Sequence, residues 1–257
     1  MRSNILNILL FIPLLCSCQQ YNSPAYDEKE KVLRDFPIEN STRMVMDSLW
    51  NKRDSLTYLR LKNLDLILMN ETSTIPSWIG EYEKMRIFKV INEKKKIISI
   101  PESIGKLSNL VQFDIPNNQV SILPNSIYNL KNLNYFNLSG NPIISIADKI
   151  NNLNKLEYLY LDNTLIKSLP ETICKLQKIK DIYIKNTKIS KLPKCLGDLS
   201  NLEWLVISGT QLTEFPIEIL NAPKLKTIRA NGLKLKNYKE VKAICEKRNI
   251  TFYYDHE

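Results

Sequence analysis

The chain has 257 residues, 44% of them hydrophobic and 25% charged, a balance that excludes a disordered or low-complexity protein and leaves room for a sizeable core. Its 36 Lys and Arg against 27 Asp and Glu leave a net charge of +9. The lysines alternate with acids and form one short run, Lys94 to Lys96, so no nucleic-acid-binding arm is expected. The single histidine, His256, is the penultimate residue, which excludes a Ser/His/Asp or Cys/His catalytic arrangement on a folded scaffold. The six glycines build no phosphate loop, and no Cys/His spacing suits zinc. The expectation is a protein without enzymatic activity, cofactor or metal.

In chain order, Arg2 gives a positive start and Ile5 to Leu15 form an apolar run broken only by Asn7, with Pro13 near its end. The run is too short for a helix that needs ~20 residues to span a bilayer, so residues 1–17 read as a targeting segment. The run ends in Leu15-Cys16-Ser17-Cys18, which resembles a bacterial lipobox. That resemblance implies cleavage before Cys18 and acylation of its thiol and amine, and several chains are what stable anchoring needs. Gln19 in place of Asp resembles lipoproteins forwarded to the outer membrane, so the implied location is the bacterial cell envelope, at the outer membrane or cell surface. Residues 18–31 are polar, contain a proline and read as a flexible tether. Residues 32–55, with Val32, Leu33, Phe36, Val45, Leu49 and Trp50, read as an amino-terminal cap.

Residues 56–235 are dominated by an internal repeat. Leu110, Leu133, Leu156, Ile179, Leu202 and Leu225 recur at one constant interval, and Pro101, Pro124, Pro170, Pro193 and Pro216 keep the same beat with Ala147 in the gap. Counting each repeat from these Leu or Ile residues, positions one, four and six are apolar, as in Leu156, Leu159 and Leu161. That alternation predicts a short strand. Pro-x-x-Ile-x-x-Leu, as in Pro170, Ile173 and Leu176, predicts a short helical return. One such coil cannot bury its apolar side, so coils must stack. The first coils carry insertions, since the steps from Leu56 to Met85 and from Met85 to Leu110 are both longer than the constant interval that follows. Residues 236–257 read as a carboxy-terminal cap, with Tyr238, Val241, Ile244 and Cys245 on one helical face followed by a strand-like Ile-Thr-Phe-Tyr-Tyr.

The pattern resembles the leucine-rich-repeat family, in particular its 23-residue class with Leu-x-x-Leu-Pro. The resemblance implies an α/β solenoid with a curved parallel sheet on the concave face and short helical turns on the convex face. Its ninth-position Asn is kept at Asn118 and Asn141 but replaced by Thr164, Thr187 and Thr210, whose hydroxyls offer weaker bonding. Cys174 and Cys195 stand in adjacent repeats; a disulfide is conceivable, with burial as small hydrophobes favoured.

Positions three, five and seven of each strand project from the concave face. They gather Tyr135, Tyr158, Tyr160, Asp162, Asp181, Tyr183 and Trp204, and the same reading places Gln112, Asp114, Asn137, Lys185, Val206, Thr227 and Arg229 there. Tyr and Trp bury much area at little entropic cost, so the expected partner is a protein. Carbohydrate is the second partner class, because tyrosines and a tryptophan beside carboxylates also hold sugar rings. An intracellular signalling scaffold is the third reading and requires residues 1–17 to be something other than a signal peptide.

Overall fold

The computed structural model describes residues 58–62, 74–91 and 96–255, which fall in one compact unit. The expected signal peptide, Cys18, the tether and the cap at 32–55 lie outside the described residues. Among those described, no helix is long and apolar enough to cross a membrane.

Nine strands form one sheet in chain order, and every neighbouring pair is parallel. They are β1 (Tyr58–Lys62), β2 (Ile87–Ile91), β3 (Gln112–Asp114), β4 (Tyr135–Asn137), β5 (Tyr158–Tyr160), β6 (Asp181–Tyr183), β7 (Trp204–Val206), β8 (Thr227–Arg229) and β9 (Thr251–Tyr253). Partners from β3 to β8 keep the constant interval of the repeat, as in Gln112 opposite Tyr135 and Tyr135 opposite Tyr158. The two longer amino-terminal spacings also hold: Tyr58 pairs with Ile87 and Ile87 with Gln112. At the other end Thr227 pairs with Thr251, so the strand-like carboxy-terminal segment adds a coil to the sheet.

Position four, the middle residue of the three-residue strands β3 to β8 and the second of β2, points inward. Phe88, Phe113, Phe136, Leu159, Ile182, Leu205 and Ile228 are all buried; Phe88 stacks on Phe113 with ring centroids 5.3 Å apart, and Phe113 meets Phe136 edge to face at 5.9 Å. The return legs are five-residue 3-10 turns, such as Asn125–Asn129, Glu171–Lys175 and Lys194–Asp198. Proline precedes six of the seven described turns and Ala147 the seventh. Proline fits because its fixed φ suits the extended residue ahead of the turn and its missing N–H removes a donor that the turn leaves unused. Ile104, Ile127, Ile150, Ile173, Leu196 and Ile219 then close the core from behind.

Between strand and return, the chain must reverse hand at position eight. Asn117, Gly140, Asn163, Asn186, Gly209 and Gly232 all have φ between 55° and 73°. This left-handed region is open to Gly and tolerated by Asn, which explains why no other residue type occurs there. A Cβ added to Gly140 would lie 2.2 Å from Asn117 Oδ1, and one on Gly209 2.2 Å from Asn186 Oδ1.

The ninth position behaves differently in the two halves. Asn141 Oδ1 accepts the Val120 N–H at 3.1 Å, while its Nδ2 donates to the Ile115 and Leu138 carbonyls at 2.9 Å, so one side chain ties two coils. Asn118 does the same with Ile97 and Ile115. The hydroxyls of Thr164, Thr187 and Thr210 donate only to carbonyls of their own coils, at 2.7 to 2.9 Å. The polar ladder therefore continues, but its cross-coil half stops at Asn141.

The helix α1 (Tyr238–Lys247) covers the carboxy-terminal end of the core with Val241 and Cys245, and Tyr238 stacks on Tyr254 at 5.3 Å. One expectation is corrected. Cys174 and Cys195 do not lie buried apart; they form a disulfide with Cα atoms 5.8 Å apart. Both sit half-buried on stacked 3-10 turns, where adjacent coils bring two side chains to bridging distance at the surface rather than in the core.

Leu159 is fully buried on β5 and Lys167 is exposed. Leu159→Ala is expected to lower unfolding free energy by about 2 to 5 kcal/mol, and Lys167→Ala by less than about 0.5 kcal/mol, in chemical denaturation.

Candidate functional site

On a three-residue strand whose middle side chain points inward, the two flanking side chains face the other way. Positions three and five thus form two parallel columns across the sheet. The third-position column runs Gln112, Tyr135, Tyr158, Asp181, Trp204, Thr227, and the fifth-position column Asp114, Asn137, Tyr160, Tyr183, Val206, Arg229. All the third- and fifth-position residues expected on this face are on it.

They are not equally available. Tyr135, Tyr158, Asp181 and Trp204 are partly exposed, whereas Tyr160 and Tyr183 retain 5% and 8% of their surface and, with Val206, make a second small apolar cluster. The reason is crowding. Parallel strands stand about 4.8 Å apart, so large rings in one column must lie against one another. Tyr160 and Tyr183 have centroids 4.7 Å apart, and Tyr135 closes over Tyr160 at 5.1 Å. Burial, reinforced by neighbouring tyrosines and Asp181, lifts the Tyr160 hydroxyl far above the usual phenol range, so it stays protonated. The picture of five projecting aromatics is corrected accordingly: Tyr160 and Tyr183, with Val206, are the floor on which Tyr135 and Tyr158 rest.

Asp162 is also corrected from a projecting to a buried group, 6% exposed, and its Oδ1 accepts the Lys185 N–H at 2.7 Å. It fastens the end of one coil to the next. Asp181 is half-buried, and its pKa is raised from 3.8 to about 6, first by burial and then by the charge of Glu203, against the opposing pull of Lys180 and Lys226. Those neighbours form a second-position ladder beside the face, with Lys180 2.6 Å from Glu157 and Lys226 2.5 Å from Glu203.

The two ends of the fifth-position column each hold a cation. At the amino-terminal end Lys89 pairs with the buried Asp114 at 2.9 Å, and Asp114 also accepts from Asn137 at 2.9 Å. At the other end Arg229 lies over Trp204 and Tyr253, 5.8 and 5.1 Å from their ring centroids. Neither Lys89 nor Tyr253 stands out in the sequence. Extending the same alternation one coil beyond each end of the regular repeats finds both.

Two other features compete with this face. A shallow groove of about 640 Å³ runs along the flank where chains approach the strands, lined by Lys84, Arg86, Asn109, Asn132, Lys155 and Lys178 among others. It is solvent-open, and Lys155 already donates to Asn132 at 2.6 Å. Among the described residues one set of metal-type donors converges, Glu171, Cys174 and Cys195, and its two sulfurs are bonded to each other.

A sequence profile of the leucine rich repeat matches residues 151–212. No curated protein matches the chain as a relative. Among solved structures, the chain is similar to a leucine-rich-repeat protein of Leptospira interrogans, at 24% identity and a TM-score of 0.64, covering 71% of this chain and 46% of that one. It is similar to an internalin (inlF) from Listeria monocytogenes at 21% identity and a TM-score of 0.60, covering 70% of this chain and 52% of that one. An internalin C2 of the same organism matches at 22% identity and a TM-score of 0.57, with 69% and 76% covered. The chain spans about half the length of the first two. These likenesses concern the fold, which is that of a leucine-rich-repeat solenoid.

The raised pKa of Asp181 has a definite sign. Between its unfolded value and about 6 the folded state holds a proton that the unfolded state has released, so stability falls as pH rises through this window. Asp181→Asn should therefore raise the melting temperature at about pH 7 and leave it nearly unchanged at about pH 3.5, in thermal melts across that range.

Proposed function

We propose that this leucine-rich-repeat solenoid is a non-enzymatic binding protein of a bacterial cell envelope, held to a membrane by lipid on Cys18 and gripping a protein partner across the open face of its sheet. The observation that carries the reading is the aromatic surface of Tyr135 and Tyr158 set on the packed floor of Tyr160, Tyr183 and Val206, with the partly exposed Trp204 beyond Asp181 in the same column. Partly exposed aromatics on a rigid base lose little freedom on binding, which is the composition of an interface hot spot. Asp181, kept half-buried at a cost in folding stability, is the kind of strained group that clusters at functional sites.

Export is supported by two independent features: the Leu15-Cys16-Ser17-Cys18 box and the Cys174–Cys195 disulfide. Disulfides persist in oxidising compartments and are rare in a reducing cytosol, which weighs against the intracellular scaffold. The unchanging register from β3 to β8 supports placing the repeats in the 23-residue class, as do side-chain bonds between equivalent positions such as Asn137 to Asp114. A sugar-binding face is the weaker alternative. Tyr135 is tilted by 43° to Tyr158 and 41° to Tyr160, so the rings offer no single flat platform for a pyranose.

A photo-crosslinking residue replacing Tyr158 on intact cells is expected to capture a protein, and the same residue replacing Lys175 on the 3-10-turn side is not. With the captured partner in hand, Tyr158→Ala with Trp204→Ala should weaken binding by about thirtyfold or more, roughly 2 kcal/mol, in titration. Saturable retention on a glycan array, with no crosslinked protein, would transfer the face to carbohydrate. For the anchor, Cys18→Ala should move the protein from the detergent phase to the aqueous phase and abolish incorporation of labelled fatty acid.

A further inference from the structure

We infer that Arg229, clamped between Trp204 and Tyr253, is a binding site for a carboxylate presented by the partner protein; the inference rests on reading the open face as the docking surface. Strand pairing fixes the location. Val206 stands opposite Arg229 and Arg229 opposite Tyr253, so the guanidinium closes the fifth-position column just past the aromatic floor. Trp204 lies on one neighbouring strand and Tyr253 on the other, and Arg229 Cζ is 5.8 and 5.1 Å from their rings. Two aromatic rings attract the cation and position it, and its N–H fork is the recognition surface.

Among the described residues the fork meets no acceptor. The Nε–H of Arg229 is buried and, among the described residues, meets no hydrogen-bond partner. Buried polar groups are paired in the great majority of cases, so an orphaned charged donor on an interaction face points to a group supplied from outside. Among the described residues, the acids of the neighbouring strand and of the carboxy-terminal segment are committed elsewhere. Glu203 pairs with Lys226, and Asp255 accepts the Gly232 N–H at 2.6 Å. Among the described residues, no ion pair involves Arg229. Lys89 provides the internal comparison. It occupies the same position of the repeat at the other end of the column, and its acid, Asp114, is built into the chain.

The chemistry favours a carboxylate among anions. The planar N–H fork of a guanidinium matches the two oxygens of a carboxylate. A single unpaired cation balances a monoanion, whereas the dianion of a phosphate monoester would need a second. Lys226, the nearest lysine in sequence, already faces Glu203 at 2.5 Å. Tyr253, 46% exposed, offers an apolar wall against which the carbon skeleton bearing the carboxylate can lie. A glutamate or aspartate side chain, or a chain terminus, provides this group on a protein.

Benzoate serves as the probe, with benzamide as its neutral counterpart and phenyl phosphate as the dianion. The full chain is followed by NMR through the Arg229 Nε–H signal and the Trp204 indole signal, one of three in the chain. Benzoate is expected to produce a saturable downfield shift of the Arg229 signal with a concurrent change at Trp204, and benzamide none. Arg229→Met should abolish the Trp204 response, and Arg229→Lys, which keeps the charge without the fork, should weaken it at least about tenfold. Thermal melts verify that both variants remain folded, and should Arg229→Met fail to fold, the Arg229→Lys comparison decides. An equal response to benzamide, tighter binding of phenyl phosphate, or undiminished benzoate binding by the folded variants would overturn the assignment. The two readings fail separately. If the Tyr158 crosslink captures a protein while benzoate leaves Arg229 untouched, the docking face stands without this site. If benzoate binds as described while no protein is captured at Tyr158, the carboxylate site stands and the docking face does not.

Discussion

The structure depends on one constraint: every coil must present its backbone N–H and C=O groups to the next coil at the same spacing. The hydrogen bonds run beyond the three-residue strands, through Asn117 to Ser139, Gly140 to Asp162, Asn163 to Lys185 and Asn186 to Ser208. Because the donors of one coil face the acceptors of its neighbour, a coil of different path would leave both sides unsatisfied, and buried peptide groups tolerate that poorly. The constraint explains why the left-handed residue recurs at position eight and why the core residues repeat. It also explains why the longer amino-terminal coils still return to register by β2 and β3.

The same spacing shapes the open face. Side chains repeated at the same position are forced to within van der Waals reach, so a column of large residues becomes a packed layer. Tyr160 and Tyr183 are thereby absorbed into the scaffold, although their alternation places them outside the core. What remains for a partner is the middle of the third-position column, from Tyr135 to Trp204, and the ends of the fifth, where the side chains change from aromatic to charged.

The repeat period announces the coil, a short strand within its first six positions, the proline ahead of the return and the carboxy-terminal helix followed by a strand, because each of these follows from local patterning. Burial on the outer face is not legible in the same way. Alternation tells which side of the sheet a residue takes and says nothing of how tightly its neighbours fit, so Tyr160, Tyr183 and Asp162 read as projecting when they are packed. The Cys174–Cys195 bond is hidden for a similar reason: the residues differ by two positions in register, and only the stacking of the 3-10 turns brings them together. The limit to Asn and Gly at position eight is visible in the sequence, and its meaning depends on a positive φ that the hydrophobic period does not reveal.

The disulfide stands directly behind the aromatic face. Cys174 belongs to the coil that carries Tyr158 and Tyr160, and Cys195 to the coil that carries Asp181 and Tyr183. A solenoid behaves as a row of nearest-neighbour units and opens from its ends, one coil at a time. A covalent rivet between two middle coils divides that row, so fraying from either terminus stops where the rivet begins. Terminal coils can then be lost to heat, proteases or mechanical pull before the coils beneath Tyr158 and Asp181 separate, and the proposed docking face becomes the last part of the molecule to lose its shape.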